Sequence, residues 1–190
     1  MINLIIAAII SILIVIIIFI LVFIIIIYNR VIQLDNNINK AWSNIEVSLK
    51  QRYNELPNLI RTVKGYMTYE KDLLKTITKA RSYLSKVDDF NKKAAANEII
   101  SDSLKTLFAV VEKYPDLKAI ENFSHLQRRI TALENEIADR REFFNECVTI
   151  YNIRILSFPD FIVARKIMKA EKKQLFKATE EEKQLVKINL

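Results

Sequence analysis

Glycine is nearly absent from this chain of 190 residues: Gly65 stands alone, and proline occurs only at Pro57, Pro115 and Pro159. Hairpins between strands draw on glycine and proline turns. A β-rich fold would therefore lack its connectors, and the composition predicts an all-α protein. Cysteine and histidine occur once each, as Cys147 and His125. One cysteine cannot close an intramolecular disulfide, and one histidine with no second cysteine cannot build the usual zinc ligand sets. The two fall on one predicted helix roughly 33 Å apart at ~1.5 Å per residue, so His125 cannot activate the Cys147 thiol. Glu121 and His125, four apart, read as a solvated pair rather than a metal site. No glycine-rich phosphate loop and no Ser-His-Asp set is present, and no pair among the many carboxylates stands out. The sequence thus predicts no catalytic residue, no cofactor and no metal.

Charge is also missing from the start of the chain. The first charged side chain is Arg30, and Leu4 to Ile27 are apolar apart from Ser11. A helix of that length spans roughly 36 Å, enough for a ~30 Å hydrocarbon core with some tilt, and Tyr28 and Arg30 fall where interfacial anchors sit. A cleaved secretory signal fits less well, because a basic n-region and a small-x-small site are missing and the run exceeds a ~7–15 residue h-region. Membrane lipid, met through residues 4–27, is the one partner the sequence names.

The rest, roughly 160 residues, suffices for one helical domain. Its charge, 29 basic against 22 acidic residues for a net +7, is interspersed. Without basic clusters carrying stacking aromatics, nucleic acid is not expected as a partner; anionic headgroups are a more natural target.

Apolar residues then recur at helical spacing. Val31, Leu34, Ile38, Trp42, Ile45 and Leu49 continue the apolar helix into a first amphipathic one, with Asp35, Asn36, Lys40, Glu46 and Lys50 toward water. Pro57 predicts a break or first-turn position, and a second helix over Pro57 to Val87 with Gly65 inside it at a close helix crossing. Asp88 and Asp89 read as loop and cap, and a third helix is expected from Phe90 to Tyr114, stopped by Pro115. A fourth is expected from Asn122 to Phe158, with Leu126, Ile130, Leu133, Ile137, Phe144, Val148, Tyr151, Ile155 and Phe158 as a bundle seam. Pro159 ends it or opens a short further helix through Ile162, Val163, Ile167 and Met168. Residues 170–190 read as a charged tail, frayed or mobile, with Val186 to Leu190 extended.

Trp42 is expected in the core or lining a groove. Asn145 and Asn152, seven apart on one face, read as register-fixing polar residues of the interior, with a polar binding site as the alternative. Arg140, Arg141 and Arg154 can pair with Glu136 or Glu146, which by itself indicates no function.

Several stretches carry a resemblance. Tyr28-Asn29-Arg30-Val31, Ala41-Trp42-Ser43-Asn44-Ile45-Glu46-Val47 with Leu49 and Arg52, Leu56-Pro57-Asn58-Leu59-Ile60 and Val63-Lys64-Gly65-Tyr66 resemble the LemA family of bacterial membrane proteins. Glu112, Tyr114-Pro115-Asp116-Leu117-Lys118-Ala119, Asn122-Phe123, Leu126-Gln127, Glu134, Ile137, Arg141, Asn145, Tyr151-Asn152 and Phe158-Pro159 continue it in order. The resemblance implies an N-terminal anchor followed by an antiparallel, four-helix-bundle-like arrangement, and no established reaction. Tyr69 stands where a histidine is frequent and Phe144 where a tyrosine is.

The expected organisation is an anchor over 1–28, a LemA-like bundle over 29–169 and a tail over 170–190. The expected function is a membrane-anchored scaffold or adaptor without enzymatic activity, recruiting a protein partner, a second copy of the chain included. The alternatives are an envelope or membrane-surface protein that binds or shapes lipid and, more remotely, an enzyme with an unrecognised site. The positive-inside bias of Arg30, Lys40, Lys50 and Arg52 favours a cytoplasmic domain.

Overall fold

A computed structural model describes residues 1–67, 70–86 and 90–176, and among them every regular element is helical. The first, α1, runs unbroken from Ile2 to Lys64. Then come α2 (Lys71–Leu84), α3 (Phe90–Val111), the single turn α4 (Pro115–Lys118) and α5 (Glu121–Arg154), followed by a π-helical segment at Ile162–Ile167. The chain divides into two compact units, residues 1–41 with 144–175 and residues 42–143 with 176–190.

In the second unit, the end of α1, α2, α3 and the first part of α5 pack around one core. Leu56, Leu59 and Val63 of α1 meet Ile77 of α2, Leu104 and Leu107 of α3, and Phe123 and Ile130 of α5, all fully buried. The 3–4 spacing of these residues puts each set on one stripe, and burying the stripes is the main force holding the helices together. Polar contacts give the direction. Arg140 donates to the Asn44 carbonyl and Arg52 to Glu134, so α1 and α5 run antiparallel. At the start of α2 the Tyr114 hydroxyl donates to the Glu70 carboxylate, 2.7–2.8 Å from either oxygen.

The boundaries around Pro57 differ from expectation. Pro57 lies inside α1 instead of breaking it. A proline leaves the carbonyl four residues earlier without its helical donor. That carbonyl belongs to Tyr53, and Arg81 Nε of α2 donates to it at 3.2 Å while the guanidinium lies 4.0 Å over the Tyr53 ring. The helix therefore continues until Lys64. Gly65 lies in the turn that follows, not inside a helix. Nothing lies within 4 Å of where its Cβ would be, so it marks no close crossing. Pro115 behaves as expected: Tyr114 is extended (φ −121°, ψ 78°) and the proline opens α4, where a missing N–H costs nothing.

In the first unit, Ile27, Val31 and Ile38 of α1 are buried, as are Phe144, Val148, Tyr151 and Ile155 of α5 and Val163 and Ala164 of the π-helical segment. Phe158, expected on the seam, is 80% exposed. α5 ends at Arg154, so Phe158 no longer follows the helical stripe. Lys169 takes a left-handed conformation (φ 53°) and ends the π-helical segment, while Ala170 N donates to Ala164 O. Of the expected tail, residues 170–176 are non-helical but held: Lys173 bonds Asn152 and Phe176 is buried. Asp88, Asp89, Tyr69 and Val186 to Leu190 lie outside the described residues.

Candidate functional site

The most buried charged residue of the second unit is Arg52, 1% exposed. It stands on the stripe that also carries Ile45, Leu56, Leu59 and Val63, at a step where an apolar side chain would be expected. Its Nη1 donates to Glu134 Oε1 at 2.5 Å and to Ser101 Oγ at 2.7 Å, and Nη2 donates to Asn97 Oδ1 at 2.6 Å. Ser101 Oγ in turn donates to Glu134 Oε2 (2.8 Å), and the Asn97 amide donates to the Lys93 carbonyl (2.8 Å). α1, α3 and α5 are thus tied by one cluster in which the buried guanidinium meets a carboxylate, a hydroxyl and an amide oxygen. A buried charge is tolerated only when paired and hydrogen-bonded in this way. One turn earlier, Ser48 is fully buried and its Oγ has no hydrogen-bond partner among the described residues.

Beside this cluster, Trp42, Leu49, Tyr53 and Leu84 line an open groove of about 390 Å³ with Glu46, Lys50 and Lys93 at its edges. Trp42 is half-buried there, its ring 6.2 Å from that of Phe176. The Arg141 guanidinium lies 4.3 Å over the other ring, Phe176. Arg140 pairs with Glu136, as the sequence allows. A second groove, about 520 Å³, has Ile60, Met67 and Leu74 in its wall and Lys64, Lys71 and Lys79 around it.

The first unit holds a second polar cluster. Asn152 acts as a peptide mimic: its Nδ2 donates to Lys173 O and its Oδ1 accepts from Lys173 N, both at 2.9 Å. Its role is to pin the returning chain, rather than to fix helix register. Lys173 Nζ also pairs with Asp35 Oδ1 at 2.6 Å. Burial, then the Asp35 carboxylate, pushes the Tyr151 phenol above its ordinary pKa, partly offset by Lys173. Arg154 pairs with the buried Asp160, not with Glu146.

The single cysteine is half-buried, and burial, then the Glu146 carboxylate, raises its pKa. That shift lowers the thiolate fraction, opposite to what a nucleophile needs. Glu121 and His125 are both exposed, and no group of three metal-ligating side chains occurs among the described residues.

Sequence reasoning missed the Arg52 cluster, although a signal existed: an arginine occupies a core step of an otherwise apolar stripe. It also missed the Arg81–Tyr53 contact, which joins residues distant in sequence and leaves no pattern.

These features define a class: a helical bundle protein whose first helix carries an apolar run long enough to cross a membrane. Comparison narrows it further. The sequence model of the LemA family matches residues 41–190, and the chain belongs to that family. Protein LemA of Metamycoplasma hominis is 30% identical over 140 residues, covering 73% of this chain and 64% of the relative. Magnetosome proteins MamQ 1 and MamQ 2 of Paramagnetospirillum magneticum are each 23% identical over 158 residues, covering 70% of this chain and 58% of theirs. The chain therefore spans under two thirds of the length of these relatives.

Proposed function

We propose that this protein is a single-pass membrane-anchored scaffold, holding a helical bundle at the membrane where its surface engages a protein partner, without chemistry of its own. The observation that carries this reading is α1 itself. One unbroken helix is apolar on every side through Ile27 and amphipathic beyond it, so a single element serves as anchor and as bundle helix. The polar interior supports a structural role as well: the Arg52 cluster satisfies itself, and Cys147 is moved away from reactivity. Arg30, Lys40 and Lys50 follow the apolar run and the preceding residues carry no lysine or arginine, which favours a cytoplasmic bundle.

Reporters active on only one side of the membrane, fused after Leu190, test the arrangement. Activity of the cytoplasmic reporter alone is expected; activity of the external one alone would contradict the orientation and move the partner search to the cell envelope.

A further inference from the structure

Ile27, the last residue of the apolar run, is 3% exposed, whereas Ile25 and Ile26 are 57% and 49% exposed. The part of this unit outside α1 is residues 144–175, so that segment supplies the cover. Further along α1, Tyr151 and residues 168–173 line a cleft with Val31 and Asp35, and Lys173 is paired to Asp35. The chain leaves α5 at Arg154, and Ile155 and Val163 beyond it are buried in the same unit. The turn and π-helical segment after α5 therefore lie beside the final turns of the apolar run.

The outer side of this segment is unusual for a surface in water. Phe158 is the most exposed large apolar residue after Met1, and Phe161, Ile162 and Ile167 are also exposed. Exposed Arg165, Lys166 and Lys169 are interleaved with them. Aromatic and aliphatic side chains beside several bases are the composition of segments that lie in the membrane interface, with apolar groups in the acyl boundary and bases among anionic headgroups.

We propose that Phe158 to Lys169 forms a second membrane contact, with Phe158, Phe161 and Ile162 entering the leaflet from which α1 emerges and Arg165, Lys166 and Lys169 meeting anionic headgroups. This inference rests on α1 crossing the membrane and adds a site that the anchor does not require. Such a contact would fix the rotation and tilt of α1, which a lone helix leaves free.

The test uses the full chain reconstituted in vesicles of phosphatidylglycerol and phosphatidylcholine, with lipids brominated near the headgroup end of their chains as quenchers. Phe158→Trp, Phe19→Trp and Tyr83→Trp are compared with the parent, whose Trp42 emission sets the baseline. Phe158 is 80% exposed and its ring meets that of Phe161 at 6.5 Å, a contact that another aromatic side chain can keep. The added emission at 158 is expected to shift to the blue and to be lost to brominated lipid, as at 19, while that at 83 stays unquenched. Vesicles of phosphatidylcholine alone should weaken the loss at 158; an equal loss would remove the headgroup role of the bases. Quenching at 19 but not at 158 would overturn this inference alone. Quenching at neither would overturn the anchor reading as well.

Discussion

The two halves of α1 share one backbone and differ in what surrounds them. Through Ile26 the side chains are apolar on all sides, and most are exposed by about half or more. From Val31 onward Ile38, Ile45, Leu56, Leu59 and Val63 are 4% exposed or less, and the opposite face carries Lys40, Glu46 and Lys50. A stripe is buried by neighbouring helices; a helix apolar all round has the composition that suits a solvent that is itself apolar. Hydrophobicity separates the halves, because no charged side chain precedes Arg30 whereas Asp35, Lys40, Glu46, Lys50 and Arg52 interrupt the second half. The angular distribution of those polar residues then leaves one apolar stripe for the core.

The largest effect should come from breaking the first half. Its apolar side chains favour insertion by about 6–13 kcal/mol, and each central lysine opposes it by about 2.5–3.5 kcal/mol. One lysine at Ile14 should therefore be tolerated, whereas lysines together at Ile10, Ile14, Ile17 and Leu21 should abolish insertion. An insertion assay scoring the membrane-inserted fraction distinguishes the two, and loss of insertion from the single change would show that the run is weaker than its composition.

Breaking the second half should cost less in energy but unfold more structure. Arg52→Ala removes the charge that Glu134, Asn97 and Ser101 all contact, and loss of one partner of a buried pair costs about 3–5 kcal/mol. Glu134 is 25% exposed and keeps some water, which places the expected loss at the lower end. Denaturant melts of the full chain in micelles should show it, and a loss below about 1 kcal/mol would mean that the cluster is incidental.

The passage through Pro57 sharpens the comparison, because it explains how the second half stays helical. Arg81→Ala should cost roughly 1–2 kcal/mol while Pro57 is present and clearly less in a Pro57→Ala background, where Tyr53 O regains its helical donor. Equal costs in both backgrounds would separate Arg81 from the proline. The smallest effect is a dependence on pH. The Tyr151 phenol is raised in the folded chain, so the unfolded chain ionises first. Stability from this residue is intact below the ordinary tyrosine pKa of about 10 and is lost as pH rises from there through the folded value. Tyr151→Phe should flatten that alkaline decline in a melting series, and an unchanged slope would assign the decline to other groups.

Much of this architecture was legible from spacing. The apolar run, the stripe of α5 as far as Ile155, and the stop before Pro115 follow from local rules that act within a turn or two. What escaped were the features settled by distant partners. Pro57 deprives Tyr53 O of its helical donor, and Arg81 of α2 supplies another. Asn152 looked like a register residue because its partner, the Lys173 backbone, carries no signature in sequence. Phe158 looked like core because the seam's period was continued past Arg154, where the helix ends. Charge on a core stripe was the one overlooked signal that sequence did contain, at Arg52.

The most direct test of the contrast between the halves of α1 is an alkaline carbonate wash of membranes from cells making the parent chain, scored by the fraction that stays with the membrane pellet. Retention in the pellet, together with release of the four-lysine variant, is the predicted result. Release of the parent chain into the supernatant would contradict the account.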